Sequence, residues 1–408
     1  MFNTLIFCYY GQVFNNNNKV LALNKPDYNA GSIVNLVSSL RSSMGNSHLA
    51  YKPLDLLDPE RLKSFDNIVF LLIDGLGYEY LTKHGQDSHL HAHLKGKITS
   101  VFPTTTSAAL TSINTGVAPL QHAVTGWFMY LQEVASVTAI LPFVPRIGGD
   151  PLSSQGVNLA SIIDVAPVYS EYDRKSYLVN QRHIVDSDYS TTMTRGAQRH
   201  AYSDMPGLFE RVREIVDSSD DTKFIYAYWP EFDGLCHIYG VESKHTKRHF
   251  EQLDAHFGDL LEQLQGSNTA VILTADHGLI DTQLDRVIYI DNYPELTDTL
   301  LLPLCGEPRA AYCYVKPGRK QDFEAYVTTY LYDFCDMYRT SELVEEGLFG
   351  IGDIHKQFYQ RAGDYVLLMK ENYVIKDRLV NEKEFSQIGV HGGLSEQELY
   401  VPLIFAAT

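Results

Sequence analysis

The chain has 408 residues, of which 45% are hydrophobic, 12% aromatic and 20% charged. This composition excludes an intrinsically disordered chain, which lacks the apolar and aromatic residues needed for a core. The formal net charge of −17 argues against binding of a nucleic-acid polymer, because such binding relies on basic side chains that neutralise phosphates. We therefore expect a folded protein whose partner is a small molecule.

The N-terminal segment and the cysteines indicate the cellular compartment of the protein. Residues 1–10 lack the basic start of a secretory signal peptide, and no run approaches the roughly 20 apolar residues that cross a bilayer. The five cysteines are scattered without a CxxC pair, which favours a reducing compartment and disfavours a cysteine-based zinc site. We expect a cytoplasmic protein without a transmembrane segment. Nothing in the sequence indicates its oligomeric state.

The first two thirds of the chain have the pattern of an α/β protein. A helix is predicted at residues 32–40, with Gly31 and Ser32 as candidate caps. Three continuous apolar runs follow, which is typical of strands buried on both faces of a parallel sheet. The runs cover residues 68–73, 224–229 and 270–274, and helical patterns at residues 209–216 and 249–264 lie between them.

The last third of the chain has a different pattern. Residues 309–315 and 364–369 have the character of strands, and residues 321–335 that of an amphipathic helix. The sequence thus predicts an α/β fold, with a mostly parallel central sheet flanked by helices and a smaller inserted α+β lobe. We place the lobe at residues 285–385 and the catalytic core at residues 1–284 and 386–408, where a last strand covers residues 400–405.

Acidic and histidine side chains follow the apolar runs or lie in glycine-flanked loops. In open α/β sheets the functional crevice lies beyond the carboxyl ends of the strands. Carboxylates and imidazoles are suitable ligands for Zn²⁺, and six of them can form two three-ligand sites. Taken singly, an acidic or histidine residue at such a position is also typical of a turn or a surface pair. The six residues taken together favour a metal centre. The candidates are Asp74, Asp233, His237, Asp276, His277 and His391.

A run of hydroxyl residues supplies candidate nucleophiles. Pro103 and the threonines Thr104, Thr105 and Thr106 precede a helical pattern at residues 108–113. A hydroxyl at a helix N-terminus lies close to free N–H groups, and metal coordination converts such an alcohol into a nucleophile. The same hydroxyls are also ordinary helix caps, and local chemistry does not select one of the three.

Taken in chain order, these motifs resemble the alkaline phosphatase superfamily, and most closely the type I phosphodiesterase / nucleotide pyrophosphatase family. The resemblance covers the chain from about residue 65 to its C-terminus. The matching motifs are Ile73-Asp74-Gly75, Phe102-Pro103-Thr104-Thr105-Thr106, Thr115-Gly116, Pro119 to His122, Asp233 to His237, Asp276-His277-Gly278 and His391-Gly392-Gly393.

The resemblance implies a role for each residue. The family nucleophile lies ten residues before the glycine of its Thr-Gly pair, which here is Thr106. One zinc is then expected on Asp233, His237 and His391, and the other on Asp74, Asp276, His277 and the Thr106 oxygen. The implied activity is a two-metal hydrolase that cleaves a phosphodiester or pyrophosphate bond of a nucleotide-like substrate through a phospho-threonine. The alternatives are a phosphomonoesterase, a phosphonate hydrolase or a catalytically silent metal-binding protein.

One position departs from the family pattern. Phosphodiesterases of this family often carry an asparagine 21 residues after the nucleophile, where this chain has Trp127. The phosphate donor is then either missing or supplied elsewhere, by the backbone N–H of Thr106 or Ser107 or by Arg146 or Arg182. An arginine would favour a doubly charged monoester. The choice between diester and monoester stays open. We interpret Trp127 as a packing residue rather than a stacking platform, and His122 as structural.

Overall fold

The computed structural model describes residues 23–380, 382 and 386–408. Residues 1–10, which lack the basic start of a signal peptide, lie outside the described residues. None of the helices in the described part of the chain combines the length and apolar character needed to cross a membrane.

Eighteen strands are formed by the described residues, and they build two large and two small sheets. They are β1 (Asn67–Ile73), β2 (Leu94–Thr99), β3 (Phe128–Leu131), β4 (Ser136–Ala139), β5 (Val144–Pro145), β6 (Lys175–Gln181), β7 (Gln198–Tyr202), β8 (Lys223–Trp229), β9 (Thr269–Thr274), β10 (Ile280–Asp281), β11 (Val287–Tyr289), β12 (Cys305–Glu307), β13 (Ala310–Cys313), β14 (Cys335–Arg339), β15 (Tyr365–Met369), β16 (Val374–Lys376), β17 (Gly389–Val390) and β18 (Tyr400–Ala407).

The α-helices of the described residues connect and flank these strands. They are α1 (Ile33–Ser43), α2 (Pro59–Lys63), α3 (Tyr78–His84), α4 (His89–Ala92), α5 (Thr106–Thr115), α6 (Pro119–His122), α7 (Leu159–Ile162), α8 (Asp188–Met193), α9 (Met205–Asp217), α10 (Glu231–Tyr239), α11 (Lys244–Gln263), α12 (Pro294–Thr297), α13 (Lys320–Tyr330), α14 (Thr340–Glu345), α15 (Phe358–Ala362) and α16 (Glu396–Leu399).

The central sheet confirms the predicted α/β architecture. Its strand order is β2-β18-β9-β1-β8-β6-β7, and the five strands from β9 to β7 run parallel. Every residue of β1, β8 and β9 is buried, as their continuous apolar sequences predict. Ile73 pairs with Trp229 and Leu72 with Thr274, so these three strands end at the same level. The segments that follow them therefore meet at one edge of the sheet.

Most of the predicted helices form, and one was predicted too long. Helix α1 begins after Ser32, whose side chain accepts a hydrogen bond from the N–H of Asn35. The helix predicted at residues 321–335 ends at Tyr330, and Cys335 already belongs to β14, where it pairs with Met369. The sequence pattern of residues 321–335 is helical, but pairing with β15 outweighs local periodicity at its end.

The second large sheet is antiparallel and joins two distant parts of the chain. Its order is β14-β15-β13-β12-β3-β4-β5. Strands β12 to β15 lie within the predicted lobe of residues 285–385, whereas β3 to β5 come from residues 128–145. The two parts meet where Gly306 of β12 pairs with Phe128 of β3. The sheet thus brings residues 127–128 and 305–307 together, and the lobe boundaries themselves stay a prediction.

A buried ion pair connects this second sheet to the C-terminal loop. The guanidinium of Arg309, between β12 and β13, lies 3.1 Å and 3.2 Å from the two carboxylate oxygens of Glu398 on α16, and both side chains are buried. The same carboxylate accepts a hydrogen bond of 2.7 Å from the N–H of Gly393. Both charged groups are shielded from water, so the charge of Arg309 and the charge of Glu398 must compensate each other.

We expect Arg309→Ala to lower the free energy of unfolding by about 3–5 kcal/mol, because the variant leaves the Glu398 carboxylate buried without its partner. Chemical denaturation monitored by circular dichroism measures this change. Arg319→Ala is the matched control, since Arg319 pairs with Asp298 and Asp322 on the surface, where ion pairs contribute little. Equal losses in the two variants would contradict the role of the buried pair.

Candidate active site

Three of the sequence motifs meet at the carboxyl edge of the central sheet. Asp74 follows β1 directly, Asp276 and His277 follow β9, and Asp233 lies on α10, which begins two residues after β8. Gly75 lies next to Asp74 with a φ of 76°, and a Cβ at this position would lie 3.0 Å from the Cβ of Asp233. Glycine therefore allows these segments to approach closely.

The first cluster of ligand-type side chains contains Asp233, His237 and His391. Their ligand atoms all lie within 4.8 Å of one another. Asp233 and His237 are one helical turn apart on α10, and the His237 Nε2 lies 3.0 Å from Asp233 Oδ2. His391 follows β17, and its Nε2 lies 3.9 Å from Asp233 Oδ1.

The second cluster contains Asp74, Asp276 and His277, again within 4.8 Å of one another. The His277 Nε2 lies 3.4 Å from an oxygen of each aspartate. The rings of His277 and His391 stack with their centroids 3.9 Å apart, so the two clusters are direct neighbours. The structure thus brings together all six side chains that the sequence singles out as candidate ligands.

The hydrogen bonds of the three histidines leave the same nitrogen open on each ring. The Nδ1 atoms of His237, His277 and His391 face the carbonyl oxygens of Gly389, Gly278 and Thr104 at 2.7, 3.1 and 3.0 Å. A carbonyl only accepts a hydrogen bond, so Nδ1 carries a proton, and Nε2 is the ring nitrogen that faces the carboxylates. Metal-binding histidines show this arrangement, in which an outer acceptor sets the tautomer.

The carboxylates of the site are short of positive charge. Burial, and then the charge of Asp276, raise the pKa of Asp74 well above its usual value, and burial also raises the pKa of Asp276. Burial acts in the same direction on Asp233, but the charge of His237 and its hydrogen bond outweigh burial and lower the pKa of Asp233. One oxygen each of Asp74, Asp233 and Asp276 is buried without a hydrogen-bond partner. Such oxygens are costly unless a cation contacts them.

The candidate nucleophile is the first residue of α5. Thr106 is buried next to the second cluster, with its Oγ1 3.2 Å from the His277 Nε2. Thr105, at the N-cap, makes no side-chain cap, because its hydroxyl instead donates to Glu307 Oε1 at 2.6 Å. The first N–H groups of α5 are therefore left available, which is the typical setting of an anion site.

Glu307 was missed by sequence reasoning. It is the last residue of β12 and lies 201 positions beyond Thr106, with no motif around it. Its Oε1 accepts a second hydrogen bond, of 2.7 Å, from the backbone N–H of Trp127. Burial raises the pKa of Glu307 to about 7, although both hydrogen bonds act in the opposite direction. Only the pairing of β12 with β3 places this carboxyl beside the site.

The structure tests the roles predicted for the other candidate side chains. Trp127 is 36% exposed and lines the site, so its interpretation as a packing residue was wrong. Arg146 is bound to Asp377 and Glu382. Arg182 contacts Ser203 and is not part of the cavity wall. His122 is buried and bonded to Ser112 Oγ at 2.9 Å, which confirms that it is structural.

A cavity of about 810 Å³ opens over the two clusters. Its wall contains Asp74, Thr106, Asp233 and His391 on one side and residues of both large sheets on the others. Aromatic rings contribute to the wall and make much of it apolar, namely Trp127, Phe128, Tyr189, Tyr226 and Tyr228. A cavity of this kind accommodates a ligand with an apolar or planar part next to an anionic group.

Comparison with proteins of known sequence gives local matches to a curated enzyme. The chain is 33% identical over 99 residues to the bis(5'-adenosyl)-triphosphatase ENPP4 of Bos taurus, which is 22% of each protein. The aligned segment therefore spans about a fifth of the curated relatives' own length.

Comparison with solved structures gives matches over most of the chain. Murine ectonucleotide pyrophosphatase / phosphodiesterase 5 has a TM-score of 0.63 and 18% identity, covering 82% of this chain and 87% of the murine one. An inactive variant of the murine protein has been solved in complex with AMP. Phosphonoacetate hydrolase of Sinorhizobium meliloti has a TM-score of 0.60 and 16% identity, covering 83% and 89%. These structural similarities show that the chain shares the fold of these proteins.

The profile of one protein family matches residues 68–394, which include every candidate ligand and Thr106. The chain therefore belongs to the type I phosphodiesterase / nucleotide pyrophosphatase family, a family of hydrolases.

Proposed function

We propose that this protein is a two-metal hydrolase that cleaves a phosphodiester or pyrophosphate bond of a nucleotide-like substrate, with Thr106 as nucleophile. The observation that carries the proposal is the pair of adjacent three-ligand clusters beside a threonine at an uncapped helix N-terminus. The partly unpaired carboxylates of both clusters support a need for cations, and the uncapped N–H groups of α5 support a phosphate position.

The residues present fit two divalent cations. Asp233, His237 and His391 would hold one, and Asp74, Asp276 and His277 with the Thr106 oxygen would hold the other. Nitrogen and carboxylate donors in sets of three suit Zn²⁺ with a position left open. When bound, the ions supply positive charge that favours the alkoxide of Thr106 and compensates the charge on the reacting phosphate oxygens.

The residues of the chain divide the reaction into two displacements. The Thr106 Oγ1, after losing its proton to solvent, forms a bond to phosphorus while the bond to the leaving oxygen breaks, which gives a phospho-threonine. The first N–H groups of α5 bind the non-bridging oxygens and hold phosphorus near Oγ1. Water then attacks the phosphorus and releases a proton to solvent while the bond to Oγ1 breaks, and a proton from solvent restores the Thr106 hydroxyl.

The nucleotide-like character of the substrate is inferred from the site and from relatives. The aromatic wall offers rings that can contact a planar base. ENPP4 is named for an adenosyl substrate, and murine phosphodiesterase 5 has been solved with AMP. Arg146, which would favour a monoester, is neutralised by Asp377 and Glu382. The diester or anhydride is therefore the better proposal than a monoester, and the intact set of ligands argues against a silent protein.

We expect Thr106→Ala to reduce hydrolysis of bis(4-nitrophenyl) phosphate by about 10³-fold or more, because the covalent step loses its nucleophile. The release of nitrophenol measures the rate, and elemental analysis of the same samples measures bound metal. The clusters are intact in this variant, so most of the bound metal is retained. Turnover near the wild-type rate would show that another hydroxyl is the nucleophile.

We expect the wild-type protein to bind about two zinc ions per chain, and Asp233→Asn to lose metal and activity together. Asparagine removes the negative charge that Asp233 places between His237 and His391. The matched control is Asp285→Asn on the surface, which should keep both. An unchanged zinc content in Asp233→Asn would contradict the ligand assignment.

A further inference from the structure

Glu307 is a buried carboxyl of the cavity that the proposed reaction does not use. Its Oε1 holds the Thr105 hydroxyl and the Trp127 N–H. Its Oε2 has no hydrogen bond to any described residue. Glu307 and Thr106 line the same cavity, and the Thr105 hydroxyl that Glu307 binds is next in sequence to Thr106, so the carboxyl lies close to the start of α5.

The position of this carboxyl is fixed by close packing. Gly392, directly after His391, has a φ of 114°, and a Cβ there would lie 2.5 Å from the Cβ of Glu307. Glu307 therefore packs between the start of α5 and the loop that carries His391. Its two hydrogen bonds and this contact leave the side chain little freedom to turn away from the cavity.

Among the described residues, no basic side chain forms an ion pair with the Glu307 carboxylate. Arg146, which lines the same cavity, is bound by Asp377 and Glu382. Lys376 also lines the cavity and interacts with Glu307 electrostatically.

We propose that Glu307 determines the charge selectivity of the site: its carboxylate lies beside the phosphate position and favours monoanionic phosphoryl centres over dianionic phosphate monoesters. This inference rests on the proposed function. Diesters, internal phosphates of a nucleoside polyphosphate and phosphonate monoesters carry one charge at the reacting phosphorus, whereas a phosphate monoester carries nearly two near neutral pH. By Coulomb's law, one further negative charge on a substrate that comes within about 5 Å of a carboxylate lowers affinity by about tenfold or more.

Two substrates of nearly equal size isolate this effect. 4-Nitrophenyl methylphosphonate and 4-nitrophenyl phosphate share a leaving group and differ by a methyl group in place of a charged oxygen. The experiment measures kcat and KM for both on the zinc-loaded enzyme. The wild type should have the higher kcat/KM for the methylphosphonate. Glu307→Gln should reduce this preference by about tenfold or more, mainly through a lower KM for the phosphate.

The choice of variants separates charge from structure. The Glu307→Gln substitution removes the charge, and its amide keeps an oxygen that can accept the Thr105 and Trp127 hydrogen bonds. Glu307→Asn, a second neutral variant, should shift the preference in the same direction, whereas Glu307→Asp should keep it. Glu345→Gln removes the same charge from the surface and should leave the preference unchanged. Thermal unfolding of each variant verifies that it is folded.

Two outcomes overturn the inference in distinguishable ways. A folded Glu307→Gln or Glu307→Asn enzyme with the wild-type preference would show that Glu307 does not sense substrate charge, while the proposed function stands. A zinc-loaded wild type that hydrolyses neither ester nor bis(4-nitrophenyl) phosphate would overturn the proposed function, and with it this inference.

Discussion

Asp74, Asp233 and Asp276 lie buried at one edge of the central sheet, and each has a carboxylate oxygen without a hydrogen-bond partner. Three negative charges in so small a volume repel one another, and among the described residues three histidines lie beside them. Burial, together with this repulsion, raises the pKa of Asp74 and of Asp276. The divalent cations of the proposed function would resolve this conflict, and the remaining features of the site hold the carboxylates in place.

The scaffold holds the ligands through main-chain contacts. The parallel strands β1, β8 and β9 end at one level, which brings their following segments together regardless of sequence distance. Carbonyl groups of Gly389, Gly278 and Thr104 orient the three imidazoles. The buried Arg309–Glu398 pair connects the antiparallel sheet to the loop that carries His391. A rigid frame of this kind keeps like charges close, which a flexible loop would not.

Much of the fold and the proximity of the candidate ligands could be predicted from the sequence, because the signals are local. Continuous apolar runs indicated the parallel strands, and the Asp and His residues that follow them or lie in glycine-flanked loops indicated the candidate ligands. Glu307 could not be predicted, because its position depends on the pairing of Gly306 with Phe128, and sequence periodicity carries no information on this pairing. The end of α13 and the exposure of Trp127 were missed for the same reason, since both are decided by tertiary contacts.

A crystal structure of the zinc-loaded protein, with anomalous diffraction data collected at the zinc absorption edge, would locate the metal ions directly. We expect two strong anomalous peaks, one between Asp233, His237 and His391 and one between Asp74, Asp276 and His277. Zinc bound elsewhere, with neither cluster occupied, would contradict the proposed two-metal site.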